Sequence, residues 1–149
     1  MSNSNKVSVY NLSSAIMKAL TDYKSDIDDD VKELADQNTK KARDELKSIS
    51  PKAKKKVYLR KFSSGDSDVQ MPGSYAKSWS MKNGTKAEDI YSKVVYNKDY
   101  YRLTHLLEFG HAKRNGKRNP GTKKIPHIRK TEDKYREKFK QELEQRIRR

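Results

Sequence analysis

Apolar side chains recur every three or four residues through the first third of this chain. Leu12, Ala15, Ile16, Ala19, Leu20, Tyr23, Ile27, Val31, Leu34, Ala35, Ala42, Leu46 and Ile49 make one stripe at the helical period. The pattern predicts a long helix over residues 9–49, or two collinear helices broken near Asp28-Asp29-Asp30. Ser8 or Asn11 is the candidate N-cap. Ser50-Pro51 is the stop, because proline disfavours helical backbone in the residue before it. About forty residues at 1.5 Å each span roughly 60 Å, more than the width of a small domain. An unbroken helix therefore predicts a projecting end that packs on a neighbour.

Beyond the proline the period changes. Residues 52–71 open on lysines, pass a short β-branched and aromatic patch at Val57-Tyr58-Leu59, and end in Ser63-Ser64-Gly65-Asp66-Ser67-Asp68. Turn-favouring residues of this kind predict a mobile loop or a loose hairpin. Tyr75, Lys77, Trp79 and Met81 alternate with Ala76, Ser78 and Ser80, the period of a half-buried strand. Asn83-Gly84 supplies a turn, and residues 90–96 have strand composition, so the two segments are expected to pair antiparallel. Asp99 is the candidate cap of a short helix over residues 100–109, with Leu103, Leu106 and Leu107 on one face and Gly110 as a left-handed stop. A final helix begins at Ile128 or Thr131, with Tyr135, Phe139, Leu143 and Ile147 repeating every four residues. Favourable i,i+4 pairs are expected at Glu132–Arg136, Glu142–Arg146 and Glu144–Arg148. These elements predict an α+β fold: a long N-terminal helix on a small antiparallel or mixed sheet, a short helix, a basic loop and a C-terminal helix. The expected organisation is a single domain over residues 1–149. Within it, residues 1–10 are expected to be flexible, 52–72 to form a mobile basic and polar loop, and 111–127 to form a basic loop.

Composition narrows the partners. The hydrophobic fraction is 32% and the charged fraction 37%, so the core should be thin. The formal charge is +15 and lies in the later part of the chain. Residues 1–50 hold eight Lys/Arg against nine Asp/Glu, whereas residues 51–149 hold 27 against 11. Such asymmetry implies a polyanion or an acidic protein face nearby. Two clusters carry it: Lys54, Lys55 and Lys56 within residues 52–61, and Lys113, Arg114, Lys117, Arg118, Lys123 and Lys124 in the basic loop. Neither contains an acid, and neither offers a recognition helix for base readout. Absence of cysteine excludes disulfides and thiolate metal sites and suits a reducing compartment. No apolar run predicts a secretory signal or a membrane span.

Catalytic signatures are weak. His105, Glu108 and His111 follow H-x-x-E-x-x-H, not the H-E-x-x-H that places two histidines on one helical face. Six residues turn a helix through about 600°, so His105 and His111 point to different sides. The three histidines with Asn115 and Asn119 lack the paired carboxylates of a metal-dependent nuclease. No nucleophile elbow and no phosphate loop is present. The sequence therefore predicts no enzyme, no metal and no cofactor.

Several segments together resemble the tail-completion (head–tail joining) proteins of long-tailed bacteriophages. They are the 12–49 stripe, Gly73-Ser74-Tyr75-Ala76-Lys77-Ser78-Trp79, the strand at 90–96, the turn from His105 to His111, and Pro126-His127-Ile128-Arg129. The 105–129 region is the most specific portion. The stretch from residue 52 to 71 departs from the family pattern and reads as an insertion, and the terminal helix is unusually charged. The resemblance implies a non-enzymatic virion protein that assembles in the host cytoplasm. It implies a ring of six subunits around the DNA passage, between a connector or head-closure protein and a tail terminator or tail tube. It places Glu108, Phe109, Gly110 and His111 at a subunit border. The basic loops would face packaged DNA or an acidic partner. The apolar turn would anchor the sheet, so that Phe109→Ala would cost about 3 kcal/mol if Phe109 is buried. The rival readings are a non-specific nucleic-acid-binding module and, behind it, a small metal-dependent nuclease.

Overall fold

The computed structural model describes residues 9–54, 57–61, 67–70, 72–84, 90–110 and 123–148. Eight elements follow in chain order: α1 (Val9–Ile49), β1 (Val57–Lys61), β2 (Ser67–Gln70), α2 (Ser74–Lys77), β3 (Trp79–Asn83), β4 (Lys93–Asn97), α3 (Tyr101–Phe109) and α4 (Ile128–Ile147). The fold is α+β, as the periodicities predict.

Helix α1 runs unbroken for 41 residues. The three aspartates at 28–30 do not interrupt it, because their carboxylates point outward and Asp30 meets Arg146 of α4. Asn11 lies inside the helix rather than at its cap, and Ser8 lies outside the described residues. The helix stops at Ile49, and the Ser50 N–H still donates to the Leu46 carbonyl at 3.0 Å. Burial divides α1 in two: residues 11–26 are exposed throughout, while Leu34, Asn38 and Leu46 are buried.

Two antiparallel hairpins replace the single sheet. β1 pairs with β2 through a register shift between Tyr58 and Arg60, the hairpin alternative expected within residues 52–71. It packs mainly on itself. β3 pairs with β4 in continuous register from Trp79↔Asn97 to Asn83↔Lys93 and lies against α1. The alternating segment before Trp79 is not strand. Ser74–Lys77 forms one helical turn entered through Gly73 at φ 74, a left-handed angle that suits glycine. Alternation over four residues was too short a signal to separate the two, and burying both Tyr75 and Ala76 favours the turn.

The apolar core is small, as the composition requires. Leu46, Tyr75 and Trp79 form its centre, with Val95, Tyr100, Leu103, Leu107 and Ile128 packed around them. Helix α4 lies antiparallel on α1. Lys134 donates to Glu45 at 2.6 Å, Asn38 donates to Glu142 at 2.6 Å, and Arg146 reaches both Glu33 and Asp30. Glu132–Arg136 forms within α4, but Arg146 turns across to α1 instead of to Glu142. The basic helix thereby neutralises acids of α1.

Candidate assembly interface

The turn at residues 105–110 and the start of α4 meet in a buried polar seam. α4 begins without a local side-chain cap, since the His127 side chain makes no capping bond. Its first amides point instead at Glu108, nineteen to twenty-one residues earlier. Glu108 Oε2 accepts from the His127 N–H at 2.9 Å and the Ile128 N–H at 3.0 Å, while Oε1 accepts from the Arg129 N–H at 3.0 Å. A carboxylate here meets three otherwise orphan donors and the positive end of the helix dipole. Burial alone would raise the Glu108 pKa. The three amides and nearby His127 outweigh it and hold the carboxyl below its ordinary value.

His127 connects this cap to the core. Its Nδ1 lies 2.7 Å from the Ile125 carbonyl, which can only accept, so Nδ1 carries a proton. Nε2 lies 3.0 Å from the Tyr75 hydroxyl. Burial, with the Glu108 charge behind it, pushes the Tyr75 phenol upward and keeps it protonated. Tyr75, Trp79 and His127 stand mutually edge-on, with ring centroids 5.8–6.2 Å apart. Trp79 Nε1 donates to Ser50 Oγ at 2.7 Å, which ties the end of α1 into the same cluster. Asn97 does the equivalent for α3. Its Oδ1 accepts the Tyr100 N–H at 2.8 Å, and its Nδ2 donates to the Tyr75 carbonyl at 2.9 Å. Asn97, not Asp99, therefore holds the start of α3, and no capping bond comes from the helix's own N-cap side chain.

The predicted interface residues separate. Glu108 is buried, with 6% of its surface exposed, and its oxygens are committed inside the protomer. Phe109 is the reverse: it is 63% exposed and contributes no core cavity, so the expectation of a buried Phe109 is corrected. The physical reason is helix geometry. Leu103 and Leu107, one turn apart, take the inward face, and Phe109 falls two residues further round. Phe109 borders a shallow cleft of about 440 Å³ between α3 and α4, with His105, Arg129, Asp133 and Arg136. Gly110 ends α3 at φ 82 and ψ 169, a positive φ that suits glycine though not the left-handed helical stop expected, and its N–H donates to the Leu106 carbonyl at 2.8 Å. His111 lies outside the described residues.

Of the basic residues, Lys54, Lys123 and Lys124 are exposed. Lys55, Lys56, Lys113, Arg114, Lys117 and Arg118 lie outside the described residues. No group of three His, Asp or Glu side chains among the described residues has metal-binding geometry. The carboxylate beside His127, Glu108, is already occupied by amides. No helix among the described residues is long and apolar enough to cross a membrane. The bonds of the seam lock α1, α3, α4 and the β3–β4 hairpin to one another.

Outside the seam, the first half of α1 presents exposed apolar side chains. Leu12, Ile16, Leu20 and Tyr23 are 49–57% exposed on one face. Sequence periodicity had located this stripe, but only the tertiary structure separates its exposed half from its buried half. The Glu108 cap was missed from sequence because a carboxylate cap nineteen residues distant leaves no local signature.

The scaffold is thus clamped at one end and leaves an exposed apolar face at the other. A protein-family model described as "Bacteriophage HK97-gp10, putative tail-component" matches residues 14–110, about two thirds of the chain. The chain belongs to this HK97-gp10-like family of phage tail components. The match runs from α1 through Gly110, so the basic loop and α4 stand outside it. No curated protein and no solved structure matches the chain.

Proposed function

We propose that this protein joins the DNA-filled phage head to its tail, as one subunit of a six-membered ring around the DNA passage. The observation that carries the reading is the exposed apolar stripe on residues 11–26 of α1, in a member of a phage tail-component family. A protomer that leaves four large apolar side chains on one exposed helix face is built to bury them on assembly. Connector or head-closure proteins would bind one side of the ring and the tail terminator or tube protein the other. Assembly would take place in the host cytoplasm.

In this reading Phe109, Gly110 and His111 form part of the subunit border, with Glu108 positioning them from inside. Lys54, Lys55, Lys56, Lys113, Arg114, Lys117, Arg118, Lys123 and Lys124 face DNA in the passage or an acidic partner. The test is electron microscopy of phage made without the protein. Filled heads beside separate, complete tails are expected; intact infectious particles would refute the joining role. The net charge of +15 favours one second reading, a free-standing nucleic-acid-binding module. That reading predicts a gel shift of free DNA that weakens steeply with salt.

A further inference from the structure

Two basic stretches far apart in the chain are rooted in one buried seam. Ser50, two residues before Lys52, accepts from Trp79 Nε1 at 2.7 Å. The Trp79 ring centroid stands 6.2 Å from that of His127, three residues after Lys124. The Ile125 N–H donates to the Leu107 carbonyl at 2.8 Å, and Glu108 accepts from the amides of His127, Ile128 and Arg129. The end of α3 and the start of α4 are thereby tied together. Lys98 joins the same seam, since its N–H donates to the Ser78 carbonyl at 2.9 Å, and Lys77 ends α2 one residue earlier.

Lys52, Lys54, Lys77, Lys98, Lys123 and Lys124 are all exposed, and none forms an ion pair with a described residue. Other cations are committed within the protomer: Lys93 to Asp36, Lys134 to Glu45, Arg136 to Glu132, and Arg146 to Asp30 and Glu33. No acid occurs from Ser50 to Lys61 or from Phe109 to Thr131. Glu108 is buried against three amides, and Asp99, next to Lys98, offsets one of the six charges.

We infer that these six lysines form one composite site for the phosphate backbone of a DNA duplex, with one duplex bound across both roots. The inference deepens the proposed function, from which it takes DNA as the polyanion. Reach permits it. At up to about 3.6 Å per residue, Lys52 stands within roughly 7 Å of Ser50 and Lys124 within roughly 11 Å of His127. One helical turn of duplex, roughly 34 Å, can therefore touch both roots. Side-chain chemistry favours phosphate over an acidic protein. Residues 113–124 consist only of Lys, Arg, Asn, Gly, Pro and Thr, cations and neutral donors that suit phosphate and sugar oxygens. The centre of a protein interface calls instead for aromatic and apolar anchors and is poor in lysine. Lysine–phosphate contacts read no bases, so the site is indifferent to sequence.

The experiment measures fluorescence anisotropy of a labelled duplex of about two helical turns with the full chain, between about 0.05 and 0.3 M NaCl. Six phosphate contacts give a slope of about −5 in log K against log salt, whatever the duplex sequence. Lys52→Gln with Lys54→Gln, and separately Lys123→Gln with Lys124→Gln, should each flatten the slope by about 2 and lower affinity about tenfold or more at 0.1 M salt. Lys18→Gln with Lys24→Gln removes the same charge roughly 40 Å along α1 from Ser50 and should leave slope and affinity unchanged. Three results would overturn the inference: no binding at the lowest salt, full affinity after either root is neutralised, or an equal loss in the α1 control. A poly-glutamate chain of equal charge that binds more tightly than the duplex would assign the site to an acidic protein instead. The two proposals fail separately. Separate heads and tails from phage lacking a protein that binds no duplex would sink the composite site alone. Intact phage lacking a protein that binds duplex through both roots would sink the joining role alone.

Discussion

The two ends of α1 obey different rules. Near Leu46 and Ser50 the helix meets Trp79, Tyr75 and α4, and nearly every buried polar group has a partner. Over residues 11–26 the same helix, with the same apolar period, is exposed throughout, and Ser14 and Thr21 donate to carbonyls of its own turns. One stripe thus divides in two. Its second half builds the protomer, and its first half remains exposed. A thin core is sufficient because the polar seam at Glu108 and His127 aligns elements that apolar packing alone would hold loosely.

The sharpest way to break the contrast is to empty the seam. Glu108→Ala removes the acceptor of three amides and should lower the unfolding free energy by about 4 kcal/mol in urea titration. An effect below about 1 kcal/mol would show that water caps α4 equally well. Leu46→Ala opens a cavity at the centre of the core and should cost about 3 kcal/mol in the same measurement.

Acid should act on the seam and spare the overhang. The Glu108 carboxyl has its folded pKa lowered below 4.5, so the stability it contributes is fully present above that pH. That stability drains away as pH falls through the folded value, when the unfolded chain has already taken up its proton. Urea midpoints measured between pH 7 and 3 should fall more steeply for the native chain than for Glu108→Gln. Parallel curves would remove Glu108 from the account. Glu45, held low by its bond to Lys134, adds a smaller slope of the same sign.

The smallest effects belong to the exposed end. Leu20→Ser and Phe109→Ala should each change the stability of the isolated protomer by no more than about 0.5 kcal/mol, because neither side chain leaves a cavity. A larger loss by either measure would place that residue inside a folded interface already present in the free protein.

Much of the architecture is legible in the chain. A stripe with no proline before residue 51 reads as one helix, and β-branched residues around Val94 and Val95 read as a strand. Gly110 reads as a stop because its positive φ suits glycine. The functional surfaces are less legible. Glu108 and Phe109 are adjacent and both looked like border residues, yet one is a buried cap and the other an exposed rim. Their difference is a turn of about 100° on α3, and its meaning depends on where α4 begins.

By itself, then, the sequence determined where helices run, where they end and how thin the core must be, since these follow from local period and backbone chemistry. Only the tertiary structure decided that Glu108 closes the start of α4. It also decided which half of the α1 stripe is covered. Those outcomes depend on groups brought together from distant positions, and no local pattern encodes which distant partner arrives.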